Sequence, residues 1–263
     1  MKYKMIAADF DGTLLTSDKR ITEKTKSILS ECRNNSCVIV GVTARNISSV
    51  KNVLDVQMFD YIVLNNGSDI YYVKEDRVES VSSIDKDIAK RIYDFCEGIS
   101  PEIDFCTPYN YLLKTNIKSD PRPFVKYING IDEVTDSISR INVFFHDESE
   151  LERNRSLIEN RFDTVNVVKM LDTDQKNSRI WLTVNPKNVN KLNTLLKVCD
   201  EVKCSIDEVI FFGDGENDLL LLENVGMGVA MGNAINEVKE KSKAVTLTND
   251  EDGIFDYLTR VRL

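Results

Sequence analysis

Short, nearly continuous apolar runs alternate with polar stretches of helical period at both ends of the chain. Met5-Ile6-Ala7-Ala8 runs into Asp9, and Cys37-Val38-Ile39-Val40-Gly41-Val42 and Tyr61-Ile62-Val63-Leu64 follow it. Apolar runs this short and unbroken are those of strands covered on both faces, so strands are predicted at 3–9, 37–42 and 61–64. Between them, Thr22 is placed to cap a helix running to Asn34 with Ile28, Leu29 and Cys32 on its inner face. Asn46 opens a shorter helix to about Leu54. This β-α-β-α-β order implies a parallel sheet with right-handed crossovers.

The pattern then changes. Residues 70–73 and 77–81 read as a hairpin around Lys74-Glu75-Asp76. From about Ser83 to Val184 the predicted strands are shorter and more polar, at 140–145, 165–170 and 179–184. Two helices lie among them: one with Ile88, Ile92, Phe95 and Ile99 at helical spacing, the other from Asp147 to Arg161. This segment reads as a smaller α+β insertion with an antiparallel sheet. After Asn185-Pro186 the first pattern resumes, with a helix from about Asn190 to Val202 and the strand Glu208-Val209-Ile210-Phe211-Phe212.

Composition narrows the chemistry. At 263 residues, 42% hydrophobic and 29% charged, the chain can bury a sizeable core. A net charge of −9 without a basic stripe argues against a nucleic-acid partner. No apolar stretch approaches a membrane span, and the run after Met1-Lys2-Tyr3-Lys4 is cut short by Asp9, so neither a membrane nor a signal peptide is expected. The six cysteines show no CxxC spacing and read as buried, reduced thiols of a cytoplasmic protein. The single histidine, His146, excludes multi-histidine metal sites, though not a Ser-His-Asp triad. Carboxylate-based, hard-ion chemistry is the default for an enzyme of this composition.

Four strand ends carry candidate chemistry. In Asp9-Phe10-Asp11-Gly12-Thr13-Leu14-Leu15, carboxylates two residues apart share one side of an extended chain, and Gly12 permits a sharp turn. Such a pair at the carboxyl end of a parallel strand suits a metal ion and a phosphate ester, although Asp-Gly-Thr is also an ordinary turn. Gly213-Asp214-Gly215-Glu216-Asn217-Asp218 repeats the arrangement after the Val-Ile-Phe-Phe strand, and two acidic strand ends in one sheet can supply an oxygen-rich Mg²⁺ site. Thr43-Ala44-Arg45, at the end of another strand, offers a hydroxyl and backbone N–H groups to an anion, with Thr43 or Asn46 as a simple N-cap the plainer reading. Lys191 stands near the start of a later helix, where a lone lysine is ordinarily a solvated charge.

Together these sites resemble the four signature motifs of the haloacid dehalogenase superfamily of phosphohydrolases, and more narrowly its Cof-type, subclass IIB sugar-phosphate phosphatases. The resemblance extends to Asn66-Gly67, to Val229-Ala230-Met231-Gly232-Asn233-Ala234 and to the stretch from Asn249 to Gly253. It implies an α/β fold: a Rossmann-like parallel-sheet core at 1–82 and 186–263 with an inserted α+β cap at 83–185. Thirty positions from Thr13 to Thr43 leave room for one helix and one strand, whereas 148 positions separate Thr43 from Lys191, so the cap follows the third strand.

By the same resemblance Asp9 is the nucleophile and Asp11 the general acid/base. Thr43, Ala44, Arg45 and Lys191 bind the phosphate. Asp9, Asp214 and the backbone carbonyl of Asp11 hold Mg²⁺, with Asn217 and Asp218 supporting Lys191 and the metal's waters. Beside an ionised Asp9, Asp11 is expected to hold a proton. The chain departs from the family pattern at Ala44 and Ser68, and at Leu192 where a glycine usually follows the lysine.

The expected function is Mg²⁺-dependent hydrolysis of small phosphate esters, sugar or polyol phosphates foremost, through a phosphoaspartyl intermediate. The alternatives are a phosphosugar mutase of the phosphomannomutase type and a non-catalytic phosphosugar-binding regulator. Dehalogenation does not need the acid that Asp11 provides. Oligomeric state is left open, a monomer being compatible with the chain. Thr107-Pro108-Tyr109-Asn110, His146, Arg179 and Trp181 are the insertion's candidates for substrate contact, with packing or exposure the plainer reading for each.

Overall fold

The computed structural model describes residues 3–116, 118–171 and 179–261. The chain opens with β1 (Met5–Asp9), α1 (Glu23–Asn34), β2 (Val38–Val42), α2 (Ile47–Lys51), β3 (Tyr61–Leu64), β4 (Asp69–Tyr72) and β5 (Arg77–Ser80). It continues through α3 (Lys86–Cys96), β6 (Glu102–Cys106), β7 (Tyr111–Thr115), β8 (Val125–Tyr127), β9 (Arg140–Phe145), α4 (Glu148–Arg161), β10 (Val165–Leu171) and β11 (Ile180–Pro186). It closes with α5 (Lys191–Val202), β12 (Val209–Gly213), α6 (Leu219–Asn224), β13 (Met227–Ala230), α7 (Asn236–Lys241), β14 (Ala244–Val245) and α8 (Gly253–Val261). These form two compact units: Met1–Arg45, Val50–Glu79 and Asn190–Leu263 in the first, Asn46–Ser49 and Ser80–Val189 in the second.

The first unit is built on an eight-stranded sheet of order β14-β13-β12-β1-β2-β3-β4-β5. Its strands from β14 to β3 run parallel, and β4 turns antiparallel against β3. The predicted apolar runs account for the centre: β1 and β12 are buried along their whole length. Because β1 lies between β2 and β12, connections leave it in opposite directions, and the crevice at its carboxyl end is where α/β sheets place ligands. The pairing of Asp9 with Val42 and of Ala8 with Phe212 brings three strand ends together there. Thr22 caps α1 by accepting the Thr25 N–H, and the buried face is Thr25, Leu29 and Cys32, with Ile28 only half-buried.

The second unit carries a six-stranded sheet of order β10-β11-β9-β6-β7-β8. It is mixed rather than purely antiparallel, because β8 pairs parallel to β7. Its helices bury Ala89, Ile92 and Cys96 of α3 and Leu151 and Ile158 of α4 against Ile103, Phe105, Ile141, Val143, Leu182 and Val184. Ile88, Phe95 and Ile99 are only partly buried, so the face of α3 is rotated from the expected one toward smaller residues. All six cysteines are buried free thiols.

Candidate active site

The turn after β1 is tight and mostly backbone-bonded: Leu14 N–H donates to the Asp9 carbonyl (3.1 Å) and Leu15 N–H to that of Phe10 (2.8 Å). Phe10 points away from the site, stacking on Phe59 at 5.4 Å and lying so close to Gly41 that a Cβ there would meet its ring at 2.6 Å. Gly12 has φ +82°, and a Cβ on it would lie 2.2 Å from Asp214 Oδ2, so both conformation and space demand glycine.

Asp9, Asp214 and Asp218 form the centre, each offering an oxygen within 4.8 Å of the others. Lys191, only 2% exposed, donates to Asp9 Oδ1 and Asp218 Oδ1, both at 2.7 Å. Asp218 Oδ2 accepts the backbone N–H groups of Asp214 and Gly215 (3.1 Å each). Thr13 Oγ1 donates to Asp214 Oδ1 (2.7 Å), and Asn233 Nδ2 braces the Gly12 carbonyl (2.8 Å). Asn249 in turn donates its N–H to Asn233 Oδ1 (3.1 Å) and its Nδ2 to the Leu15 carbonyl (2.8 Å).

One ammonium among three carboxylates, two of them buried and Asp214 half-buried, leaves negative charge in excess. Burial pushes the Asp9 carboxyl up, to about 8, with Lys191 opposing and Asp218 reinforcing the rise. Asp214 is raised as well, by burial and by Asp218, against the Thr13 hydrogen bond. Burial works to lower the Lys191 ammonium, but Asp218 and Asp9 hold it above its ordinary value. Burial is the larger cause of the raised carboxyls, and the neighbouring carboxylates add to it; a small hard cation would relieve their mutual repulsion. The donor set is all oxygen, and Gly12 keeps clear the space beside Asp214 that a side chain would fill, so these residues fit a divalent metal of the Mg²⁺ type.

Lys191 is not presented by a glycine after it, since Leu192 stands there. Asn190 caps α5 by accepting the Asn193 N–H (2.8 Å), and Thr194 Oγ1 donates to the Gly67 carbonyl (2.5 Å). Gly67, with φ +105°, lets the two segments approach: a Cβ there would meet the Asn190 carbonyl oxygen at 2.3 Å. The sequence reading starts this helix at about Asn190 without giving Asn190 or Thr194 a part in placing Lys191, although Asn before a helical run is an N-cap signal.

The expectations for Asp11 need correction. The carboxylate of Asp11 does not join that of Asp9. Strand β1 ends at Asp9, so the two-residue alternation no longer governs Asp11. Asp11 instead receives a fork from Arg45, Nε to Oδ2 and Nη2 to Oδ1 at 2.7 Å each, and Lys19 Nζ at 2.8 Å. Against the effect of burial, these bonds from Arg45 and Lys19 bring its carboxyl down to about 2. Asp11 therefore does not hold a proton in this state.

Thr43, 1% exposed, sits at the end of β2, but its Oγ1 accepts the Arg45 N–H (3.1 Å), which removes that donor from a bound anion. Ala44 is half-buried between them, and Asn46 is the residue that caps α2, accepting the Ser49 N–H (2.9 Å). Asn217 is exposed and donates to Asn66 Oδ1 (3.3 Å); the support of Lys191 comes from Asp218.

In the second unit, Thr107 Oγ1 accepts the Tyr109 and Asn110 N–H groups and so closes its own turn. His146 is exposed, and Arg179 lies over the Phe144 ring at 4.0 Å while pairing with Glu102.

Comparison with known proteins fits this geometry. The haloacid dehalogenase-like hydrolases match residues 6–258. The chain belongs to that family. As a hydrolase it is similar to YxeH of Bacillus subtilis, 28% identical over 263 residues and covering 96% of each chain. It is also similar to 5-amino-6-(5-phospho-D-ribitylamino)uracil phosphatase YcsE of the same organism, 25% identical over 95% of this chain and 92% of that one. A solved subclass IIB sugar phosphatase shares the fold at a TM-score of 0.77, with 21% identity over 98% of this hydrolase and 99% of the other. Among the described residues, no helix is long and apolar enough to cross a membrane.

Proposed function

We propose that this hydrolase is a Mg²⁺-dependent phosphatase of small phosphorylated metabolites, sugar or polyol phosphates foremost, of the Cof-type subclass IIB and acting in the cytoplasm. The observation that carries the reading is the buried Asp9 carboxylate at a strand end, bonded to Lys191 and grouped with Asp214 and Asp218. Residues 1–82 and 186–263 act as the catalytic core and 83–185 as a cap that excludes water and contributes substrate contacts.

Asp9 attacks the phosphorus, and the bond from phosphorus to the ester oxygen breaks as Asp11 gives that oxygen a proton. Water then attacks the phosphoaspartyl group, Asp11 takes the water's proton, and phosphate leaves with Asp9 restored. Asp9, Asp214, Asp218 and the Asp11 backbone carbonyl are the groups that would hold Mg²⁺, whose charge offsets repulsion between carboxylate and phosphate. Lys191 and Thr43 hold the transferring phosphate. Arg45, which grips Asp11 in the resting site, turns to the incoming anion; the carboxylate this frees takes up a proton from solvent, and that is the proton it gives to the leaving oxygen.

The deciding assay is release of inorganic phosphate from p-nitrophenyl phosphate and hexose phosphates. Turnover is expected to vanish with a chelator and return with Mg²⁺. A hexose 1-phosphate converted to its 6-phosphate without free phosphate would point to a mutase, and binding with no phosphate release to a regulator.

A further inference from the structure

The stretch from Asn249 to Gly253 takes no part in the metal or phosphate set described above. It lies against the loop between β1 and α1, from 230 to 234 positions further along the chain. Asn249 Nδ2 donates to the Leu15 carbonyl (2.8 Å), and Thr22 Oγ1 donates to Asp252 Oδ1 (2.5 Å). Between these points Ser17 gives Asp250 two bonds, its N–H to Oδ1 (2.8 Å) and its hydroxyl to Oδ2 (2.6 Å). The strap holds its own shape, since Asn249–Glu251 is a single helical turn closed by Thr248 and Glu251 capping each other. Ser17 and Asp250 are both exposed, and hydrogen bonds open to water add little to folding. What the strap supplies is placement.

The part of the loop it places is a tight turn. Thr16 N–H donates to the Arg20 carbonyl (2.9 Å) and Lys19 N–H to the Thr16 carbonyl (2.8 Å). Lys19 has φ +58°, a left-handed conformation that is unfavourable for a residue with a Cβ, so the turn gains from being held from outside. In this conformation Lys19 Nζ reaches Asp11 Oδ1 at 2.8 Å. Arg45 bonds both oxygens of the same carboxylate, Nη2 to Oδ1 and Nε to Oδ2. When Arg45 turns to the substrate, Lys19 keeps Oδ1 and leaves Oδ2 to the departing ester oxygen.

We propose that Asp250 is a positioning residue for the acid Asp11. By holding Ser17 it keeps the turn that sets Lys19 on Asp11 once Arg45 has let go. The proposal rests on the phosphatase reading above and adds to it a residue that acts through Ser17 and Lys19 rather than on the ester. Its effect should therefore follow how much the leaving group needs a proton. An unactivated phenolate needs a well-placed acid, and a nitrophenolate needs it far less.

The test compares kcat/KM for phenyl phosphate and p-nitrophenyl phosphate, esters of nearly one shape, in wild type, Asp250→Ala, Lys19→Met and the double variant. For phenyl phosphate each single variant is expected to lose about 10-fold, and the double variant no more. For p-nitrophenyl phosphate the losses should stay under about 2-fold. Asp250→Asn keeps one acceptor for Ser17 and should fall between wild type and Asp250→Ala. Equal losses for the two esters, no loss for either, or losses that multiply in the double variant overturn the proposal. If Asp250→Ala does not fold, Ser17→Ala replaces it in the same comparison. If wild type cleaves neither ester, the phosphatase reading fails, and amide hydrogen exchange across residues 16–20 decides the strap separately. Faster exchange there in Asp250→Ala supports it, and unchanged exchange overturns it.

Discussion

The strand-end site of the first unit and the polar sheet face of the second satisfy their buried carboxylates to different degrees. In the first, Lys191 bridges Asp9 and Asp218, Thr13 holds Asp214, and Arg45 with Lys19 holds Asp11. In the second, Thr183 donates to Asn142 and Asn142 to Asp104, whose Oδ1 has no donor among the described residues. A site that must position a nucleophile is fixed by its own side chains before any substrate arrives. The Asp104 oxygen instead bears the cost of a buried polar atom left without a donor.

Four substitutions can break or sharpen that contrast. The largest effect is expected from Asp9→Asn, which keeps shape and removes the nucleophile: steady-state turnover should fall by at least about 1,000-fold. Lys191→Met leaves Asp9 and Asp218 buried without their cation, and urea unfolding should show a loss of about 3–5 kcal/mol. A loss under about 1 kcal/mol would mean the paired charges of the first site are not interdependent.

Asp104 makes stability depend on pH. Its carboxyl is raised when folded, to about 6. The stability tied to its neutral form is therefore complete below about pH 4 and lost as pH rises through about 6. Unfolding of Asp104→Asn, measured beside wild type at pH 4 and pH 7, should remove about 2–3 kcal/mol of that dependence. Parallel pH curves for the two proteins would sink the assignment of an unsatisfied carboxylate. The smallest change is expected from Lys19→Met. Its ammonium and the Asp11 carboxylate are half-exposed, so thermal unfolding should register less than about 1 kcal/mol.

Legibility in sequence followed the distance over which each feature is encoded. The runs ending at Asp9 and Gly213 could be read because strand, turn and carboxylates lie within about a dozen contiguous residues. The resemblance supplied the role of Lys191, whose meeting with Asp9 spans 182 positions that no local pattern records. The pairing of Asp11 was misjudged because strand alternation was carried two residues past the end of β1. The bonds from Thr183 to Asp104 went unseen for a related reason. Glu102-Ile103-Asp104-Phe105-Cys106 alternates as a strand should, but two acidic residues in five masked the signal. Even with β6 in hand, only register across β9 and β11 places Asp104, Asn142 and Thr183 in one row.

The central claim is that Asp9 carries the phosphoryl group, and the most direct measurement is an acid-quenched single turnover with an ester labelled at phosphorus. The account predicts label bound covalently to the peptide containing Asp9 in wild type and none in Asp9→Asn. Full turnover with label on another peptide, or turnover retained by Asp9→Asn, would contradict it.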